Sequence, residues 1–364
     1  MAATWIGRPQ VYWGVRTKEI DGLLAGLIWW DGSKVFLRHT CDNAYESSYY
    51  YDKHDGENYS NEVINDDHAV LNVEWVQTGD EWVAQISGKQ KPKIPTGLAF
   101  YLGSDAKGSE FDYEEHPEMF GYAGNHKKEK IGLYFQGRVQ MIRHTGFNIE
   151  SGNAWTVQNV YEKEALAKKN VFYDNHMDDN SNVVFHRLAY NGDFNVTIAF
   201  TKNGVKGAKK LFADFPERAA VLKADFDERF ATKFDVSAST NKLKKGNKLF
   251  SDEYLKYAQI AIASTNGGIG YFTGNSVIDK TPLVEDDYDP YDSQFADFFD
   301  EDNGLSPEVN TLGHRKDKEN PELTEVRELY SSTPSRSFFP RGFIWDEGFH
   351  LLMIGKFNEN IGYF

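Results

Sequence analysis

Hydrophobic and polar residues alternate along roughly the first two hundred residues of the chain, and Gly, Asp and Asn residues interrupt the alternation. In AVLNVEWV, residues 69–76, Leu71, Val73 and Trp75 share one face, and polar residues share the other. The segment DFNVTIAF, residues 193–200, repeats the pattern. A period of two with frequent turns is typical of antiparallel strands that bury one face, and helical patterns between them are scarce. The pattern therefore predicts an N-terminal antiparallel β-sandwich.

The hydrophobic period changes to that of a helix near Lys209, and this helical pattern continues to Phe234. A second helix is predicted from Ser251 to Ser264, with the Ser251 hydroxyl as its N-cap. We expect the boundary between the sandwich and the helical part at about residues 205 to 210.

The segment 281–323 is strongly acidic, and no basic residue occurs between Glu285 and Asp302. Such a run repels itself, so we predict an exposed and partly disordered insertion. A calcium-binding loop is not favoured, because the glycine that an EF-hand needs at its sixth position is missing.

Composition and charge narrow the function classes. A chain of 364 residues with a mass of 41.6 kDa is expected to form more than one domain. The net charge of -15 argues against a nucleic-acid partner, and Cys41, the single cysteine, cannot form an internal disulfide. Neither a membrane span nor a signal peptide is recognisable. Asn58 and Asn195 begin Asn-X-Ser/Thr sequons and are candidate glycosylation sites.

Two short motifs suggest chemistry but are better explained by structure. The segment NGGIGYFTG, residues 266–274, lacks the third glycine of a dinucleotide-binding loop and follows a helix instead of a strand. Its glycines are expected to end that helix and to let the chain pack closely against another element. His39 and Cys41 would lie on one face of a strand, but no third group nearby could orient them as a nucleophile pair.

A metal site is not predicted. The candidate ligands would meet only if two loops converged, and a polar surface is the favoured interpretation. They are His54, Asp55, Asp66, Asp67 and His68.

The segment SFFPRGFIWDEGFHLL, residues 337–352, combines an Arg, a Trp and two acids with apolar residues. A helix is predicted to start near Trp345, which places Asp346 and Glu347 in its first turn. Acids in that position interact favourably with the helix dipole by about 0.3 to 1 kcal/mol each. In this structural interpretation the carboxylates need no ligand.

A second interpretation is that the same segment holds a sugar. A Trp ring can lie against the C–H groups of a sugar, while an Arg and an acid bind its hydroxyls through charged hydrogen bonds. Trp345, Asp346 and Arg341 would supply these groups. The residue pattern alone leaves both interpretations open.

The longer run TPSRSFFPRGFIWDEGFHLL, residues 333–352, resembles the signature of glycoside hydrolase family 63, the processing α-glucosidase I family. Three further stretches occur in the order that this family shows. They are VYWGVRTKEIDGLLAGLIWWD with LRHTC, then FDERFATKF, and then GGIGYFTG. The resemblance covers essentially the whole chain apart from the acidic insertion.

The resemblance implies a multidomain protein. Its expected parts are an N-terminal β-sandwich at residues 1–207, a helical linker at 208–250, and the first helices of an incomplete (α/α)6 barrel at 251–364. The acidic insertion at 281–323 would interrupt the barrel part. A complete barrel of this kind has twelve helices, of which this segment is expected to supply only the first few.

The resemblance also implies a reaction, which is removal of the terminal α-1,2-linked glucose from the Glc3Man9GlcNAc2 N-glycan of nascent glycoproteins, with inversion. No organic cofactor and no metal are expected. Arg341, Trp345 and Asp346 carry over as substrate contacts, with Phe339 and Glu347 as further candidates. Asp346 and Glu347 are poor candidates for the catalytic pair, because neighbouring helical residues point about 100° apart and cannot easily flank a sugar.

The family's general acid lies in a motif like Ser-Gly-Leu-Asp-Asp-Tyr-Pro-Arg, and its base lies further along. Both are expected beyond Phe364, so no catalytic residue is assigned here, and this chain alone is expected to show no glucosidase activity. The alternative is a non-catalytic glycan-binding or vestigial protein. The family also implies the lumenal side of the endoplasmic reticulum and, in eukaryotes, a membrane anchor before the sandwich, which this chain is expected to lack.

Overall fold

A computed structural model describes residues 11–19, 21–31, 37–41, 47–67, 69–90, 96–137, 141–150, 175–190, 192–237, 249–279 and 321–361. The chain divides into two compact units, which are Met1–Phe272 with Leu329–Phe364, and Thr273–Glu328. Within the described ranges, none of the helices has the length and apolar character that crossing a bilayer requires.

Two large sheets dominate the first unit. The described part of one sheet has six strands, in the spatial order β1 (Gly14–Arg16), β2 (Leu23–Asp31), β7 (Thr96–Ser104), β13 (Val183–Tyr190), β11 (Met141–Phe147) and β12 (His176–Met177). The other has eight, in the order β3 (Ser48–His54), β4 (Tyr59–Asn65), β5 (Ala69–Thr78), β6 (Glu81–Gln90), β14 (Phe194–Thr201), β10 (Glu129–Gly137), β9 (Met119–His126) and β8 (Glu110–His116). Neighbouring strands are antiparallel, except that β11 and β12 are parallel.

The main hydrophobic core lies between the two sheets, which confirms the predicted β-sandwich. Leu71, Val73 and Trp75 of β5 are fully buried, while the residues between them are only partly buried. The predicted inward face of β14 is buried as well, from Phe194 to Phe200. Each such side chain contributes about 1.5 to 3 kcal/mol on leaving water. The alternation therefore predicted both the strands and their buried faces correctly.

The first helix, α1 (Gly204–Lys233), joins the sandwich to the C-terminal helices. Its buried residues follow one stripe, at Ala208, Phe215, Ala219, Phe226 and Phe230. The first three pack in one apolar cluster with residues from the outer face of the eight-stranded sheet, and the last two belong to a separate helical cluster. The helical period predicted from Lys209 onward is confirmed.

Two more helices are described, α2 (Asp252–Gly267) and α3 (Ile344–Phe357). The Ser251 side chain accepts a hydrogen bond of 3.2 Å from the Tyr254 amide, which confirms the predicted N-cap. Helix α3 starts one residue before Trp345, as predicted. Ile262 of α2 and Phe357 of α3 pack with Phe226 of α1.

Four short strands complete the described elements. Strand β15 (Ile269–Gly274) pairs with β18 (Arg327–Ser332). In the second unit, β16 (Val277–Asp279) pairs in antiparallel fashion with β17 (Pro321–Leu323). Most of the predicted acidic insertion, residues 281–320, lies outside the described residues.

Candidate functional site

The five predicted substrate contacts lie around the start of α3, and the structure divides them between two sides. Phe339 and Trp345 are 54% and 80% exposed, Arg341 is exposed, and Asp346 is half-buried. Glu347 points to the other side of the helix, where it lines a cavity. Four of the candidates, just before and in the first turn of α3, are therefore accessible to solvent. We call them the outer surface, and Glu347 does not belong to it.

Aromatic rings shape this outer surface. The guanidinium of Arg341 lies 4.7 Å from the centre of the Phe343 ring, and that ring meets Phe339 edge-on at 6.0 Å. Trp345 and Phe349 form a tilted pair with ring centres 6.2 Å apart. An exposed indole beside a carboxylate and a guanidinium can bind both the apolar and the hydroxyl-bearing sides of a sugar ring.

The same surface is also an apolar helix face. Ile344, Phe349, Leu352 and Met353 are exposed beside Trp345. Exposed apolar groups of this extent usually mark a place where a ligand or another protein surface binds. The exposed face thus fits a binding surface and does not by itself identify what binds.

Glu347 has a structural partner on the inner side of α3. Its carboxylate accepts hydrogen bonds of 3.0 Å from the Ser331 hydroxyl and from the Ser332 amide. The ring of His350 lies one helical turn away, with Nδ1 3.6 Å from the carboxylate. Because these contacts fix Glu347 to β18, they also fix which way the first turn of α3 faces.

A cavity of about 470 Å³ lies beside Glu347 in the first unit. Its walls come from the turn between β3 and β4, the turn between β5 and β6, the end of α2, strands β15 and β18, and the inner side of α3. Its side chains include Gln77, Asn266, Tyr271 and Tyr330, and the sequence pattern assigned none of them to a site. These residues are far apart in the chain, so only the fold brings them together.

The glycines of NGGIGYFTG act as predicted. Helix α2 ends at Gly267, and Gly268 follows as its C-cap. A Cβ on Gly267 would lie 2.2 Å from a ring atom of Tyr51, so the helix can approach the sandwich this closely only with glycine there. The structural interpretation of this segment is confirmed.

Arg336 lies in the run of residues 333–352, and the sequence analysis predicted no role for it. Its guanidinium pairs with Glu62 of β4 at 2.9 Å and donates to the carbonyl oxygens of Val11 and Tyr12. It also lies 4.9 Å from the centre of the Tyr49 ring. Arg336 therefore ties the segment before α3 to the sandwich. The only available signal was the motif itself, since an Arg in a loop is normally assigned to the surface.

Burial changes the ionisation of two groups near this contact. Removal from water raises the pKa of Glu62 to about 7, although the charge of Arg336 opposes this rise. Burial, together with the positive charge of Arg336, lowers the pKa of His54 to about 3. His54 is therefore neutral at pH values near 7.

The other candidate groups have local structural roles. Burial raises the pKa of the Cys41 thiol, which is the opposite of what a reactive cysteine needs. The Asp55 carboxylate accepts hydrogen bonds from three backbone amides, while Asp66 accepts one from Trp29 and pairs with Arg38. His68 lies outside the described residues.

The two predicted glycosylation candidates are accessible. Asn58 lies in the exposed turn between β3 and β4, and Asn195 is exposed on β14. Asn58 is also at the edge of the cavity.

The chain is similar to curated proteins over nearly its whole length. Mannosyl-oligosaccharide glucosidase GCS1 of Arabidopsis thaliana is 26% identical, over 97% of this chain and 41% of the relative. Alpha-glucosidase 2 of the same plant is also 26% identical, over 97% of this chain and 44% of the relative. Mannosyl-oligosaccharide glucosidase of Saccharomyces cerevisiae is 23% identical, over 98% of this chain and 47% of the relative. The chain thus spans less than half the length of these relatives.

Family comparisons cover both parts of the chain. Residues 5–184 match the N-terminal domain of glycosyl hydrolase family 63, and residues 212–363 match the C-terminal domain of the same family. The first match covers most of the sandwich, and the second covers α1 from residue 212 onward, α2 and α3, with the motif around Trp345. The two matches follow the order of domains that one family defines, and the chain therefore belongs to glycosyl hydrolase family 63.

Proposed function

We propose that this chain is the substrate-binding part of a mannosyl-oligosaccharide glucosidase. The reaction is hydrolysis of the terminal α-1,2-linked glucose of the Glc3Man9GlcNAc2 N-glycan, with inversion at the anomeric carbon. The observation that carries the proposal is the outer surface of α3, where Trp345 and Arg341 are exposed and Asp346 is half-buried but accessible. The names of the relatives support the same reaction and substrate class.

Each residue of the outer surface has a proposed role. The Trp345 ring lies against the C–H face of the terminal glucose, and burial of that face from water provides part of the binding energy. Asp346 accepts hydrogen bonds from glucose hydroxyls, and Arg341 donates to its oxygens. Phe339 supports Arg341 through Phe343, whose ring contacts both.

The catalytic acid and base are not assigned to Asp346 and Glu347. Inversion needs two carboxyl groups about 6.5 to 9.5 Å apart, on opposite sides of the scissile bond. Glu347 is held by Ser331 and Ser332 on the inner side of α3, away from Trp345. These two acids therefore serve binding and positioning in the proposed enzyme.

The proposal also extends to architecture and location. We propose a sandwich domain at residues 1–207, a linker at 208–250 and the start of an (α/α)6 barrel at 251–364. α2 and α3 would be the first barrel helices. The proposed substrate class supports a location on the lumenal side of the endoplasmic reticulum.

The test uses the natural polypeptide that contains these residues, purified from its source organism or expressed from its complete gene. We expect it to release glucose from Glc3Man9GlcNAc2 and much less from Glc2Man9GlcNAc2, and proton NMR should show the β-anomer first. Asp346→Asn should lower kcat/KM by at least about tenfold, the cost of one charged hydrogen bond.

Asp214→Asn is the matched control, because Asp214 is an exposed acid on α1 that lies outside the proposed site. Its activity should equal that of the parent protein. If the natural protein binds the glycan but releases no glucose, the non-catalytic alternative replaces this proposal. If it neither binds nor cleaves the glycan, both are wrong.

A further inference from the structure

The cavity behind α3 is too large to be a packing defect. Its volume of about 470 Å³ lies within the range of about 300 to 1,000 Å³ that is usual for small-molecule sites. The turns at residues 57–58 and 79–80 are exposed, so the cavity is open to solvent at one end. A small molecule could therefore enter without unfolding of the sandwich or of the helices.

The charges of the residues that line the cavity disfavour anionic ligands. Three acids line it, Glu57, Asp80 and Glu347, and its described wall contains neither Lys nor Arg. His54, which also lines it, is neutral near pH 7 because burial lowers its pKa to about 3. A phosphate or carboxylate ligand would meet these carboxylates, and Lys18, whose ammonium contacts the Tyr271 and Tyr330 rings, is not itself among the lining residues.

The hydrogen-bonding groups of the wall favour a ligand with several hydroxyl donors. Gln77 and Asn266 line the cavity and are only 5% and 1% exposed. Their side-chain oxygens have no hydrogen-bond partner among the described residues. Both oxygens are covered by neighbouring atoms, so each would reach a ligand hydroxyl only after a change of side-chain rotamer, and that change would remove the cost of an unpaired buried acceptor. The Glu347 carboxylate adds further acceptor capacity.

Two aromatic rings form another part of the wall. Tyr271 and Tyr330 are tilted by 49° with ring centres 5.2 Å apart. The ammonium of Lys18 lies 4.7 Å and 4.5 Å from these two ring centres and helps to hold the pair in place. Tyrosine rings provide a flat apolar surface for the C–H groups of a sugar and a hydroxyl at its edge.

We propose that this cavity binds one neutral hexose unit, and that it is a second carbohydrate site separate from the outer surface of α3. The proposal goes beyond the function proposed above, which uses only the outer surface. Glu347 and Trp345 lie on opposite sides of the same helix start, so the two sites can be changed independently. The hexose can be a free sugar or one residue of a glycan.

The test measures binding to the chain of residues 1–364 by saturation-transfer NMR and calorimetry. The probes are glucose, the α-1,2-linked glucose disaccharide, glucose 6-phosphate and spermidine. We expect saturable binding of the two neutral sugars, with a Kd of about 1 mM or weaker, as is normal for one small polar ligand. Glucose 6-phosphate should bind at least about tenfold more weakly because of the three acids.

Two tryptophan substitutions test the cavity. Leu351 lines the cavity, whereas Val221 is 54% exposed on α1, outside both proposed sites. Leu351→Trp should fill the cavity and weaken sugar binding there by at least tenfold, whereas Val221→Trp adds the same side chain elsewhere and should leave sugar binding unchanged. Gln77→Met, which removes one lining amide without adding volume, should weaken binding severalfold, and thermal unfolding would show whether each variant is folded.

Several outcomes would overturn the inference. They are the absence of saturable sugar binding, equal binding by the two Trp variants, and tighter binding of glucose 6-phosphate or spermidine than of glucose. Loss of all sugar binding in Trp345→Ala, with none lost in Leu351→Trp, would leave the proposed function intact and exclude the second site. Binding of a high-mannose glycan but not of free glucose, with loss in Leu351→Trp, would assign the cavity to a glycan residue.

Discussion

Arg336 and Glu62 show how one buried ion pair can hold a loop to a sheet. Arg336 donates to Glu62, to two backbone carbonyl oxygens and to the Tyr51 hydroxyl. Glu62 is only 1% exposed. Both groups lose their hydration, which offsets much of their attraction. The pair therefore affects the free energy of unfolding most when one partner is removed and the other charge stays buried.

Replacement of the guanidinium should therefore be costly and pH-dependent. Arg336→Met is expected to lower the free energy of unfolding by about 3 to 5 kcal/mol at about pH 8, where Glu62 of the parent protein is ionised and the variant must bury that charge or protonate the acid. The raised pKa of Glu62 means that the folded state favours the protonated acid, so its contribution to stability falls as pH rises from about 4.5 through about 7. Without Arg336 that fall becomes larger.

Urea denaturation at about pH 5 and at about pH 8 would measure the effect. The loss in Arg336→Met should be smaller at the lower pH, and the double variant Arg336→Met with Glu62→Gln should recover part of the stability at the higher pH. An equal loss at both pH values would contradict the electrostatic explanation.

His186 is a second buried group whose charge the fold opposes. It is fully buried on β13, stacked 4.5 Å from Phe120 and 4.6 Å from Phe135. Neither ring nitrogen has a hydrogen-bond partner among the described residues. Burial, with the charges of His144 and Arg187, holds the pKa of His186 well below its usual value.

Acid should therefore destabilise the sandwich through His186. The unfolded chain takes up a proton below about pH 6.5 and the folded protein does not, so stability falls as pH decreases below that value. His186→Phe keeps an aromatic ring in the stack but cannot be protonated. Its stability relative to the parent protein should rise as pH is lowered from about 7 to about 4.5. His176→Asn, at an exposed histidine, is the control, and parallel pH profiles for His186→Phe and the parent would contradict the prediction.

Helix α2 shows how much of a single element the sequence determines. The Ser251 hydroxyl caps its first turn, acidic residues occupy that turn, and glycines end the helix against Tyr51. Each of these signals is local, so it can be recognised in a short stretch of sequence. The element was accordingly predicted close to its observed bounds.

Removal of the cap should weaken this helix measurably. Ser251→Ala is expected to lower the free energy of unfolding by about 1 kcal/mol, and Ser251→Asp should restore it, because an aspartate can accept the same amide hydrogen bond. Chemical denaturation followed by circular dichroism would measure both. A neutral effect of Ser251→Ala would mean that the first turn of α2 contributes little to global stability.

Strands and helices could be predicted from the sequence, but the contacts of the run at residues 333–352 could not. Period-two alternation at Leu71, Val73 and Trp75 reports burial directly, because each apolar side chain faces the same core. The burial of Glu62 and Arg336 follows from contacts between distant segments, and no local pattern encodes these. For the same reason the inward direction of Glu347 was not predicted, although its place in the first turn was.

At the scale of the whole molecule, the exposed face of α3 is the clearest unpaired apolar surface of the described residues. It includes Ile344, Trp345, Phe349 and Leu352, with Phe338 and Phe339 nearby. Contiguous apolar groups of this kind promote association in water.

We expect the chain of residues 1–364 to associate as its concentration rises. Sedimentation velocity should show this, and Leu352→Lys should reduce it, because a charge in the middle of the face opposes burial. Val221→Lys on α1 is the control, since Val221 is 54% exposed but lies outside this face. A monomer at every concentration would show that the face remains in contact with solvent.

The distance along the chain between Glu62 and Arg336 has a consequence for synthesis. The two residues are 274 positions apart. At about 5 to 20 residues per second, a ribosome makes Arg336 roughly 14 to 55 s after Glu62. During that interval most of the sandwich strands have emerged, but Arg336, the ion-pair partner of Glu62, has not been made. The nascent sandwich should therefore remain sensitive to protease near β4 until the segment that carries the proposed sugar contacts leaves the exit tunnel.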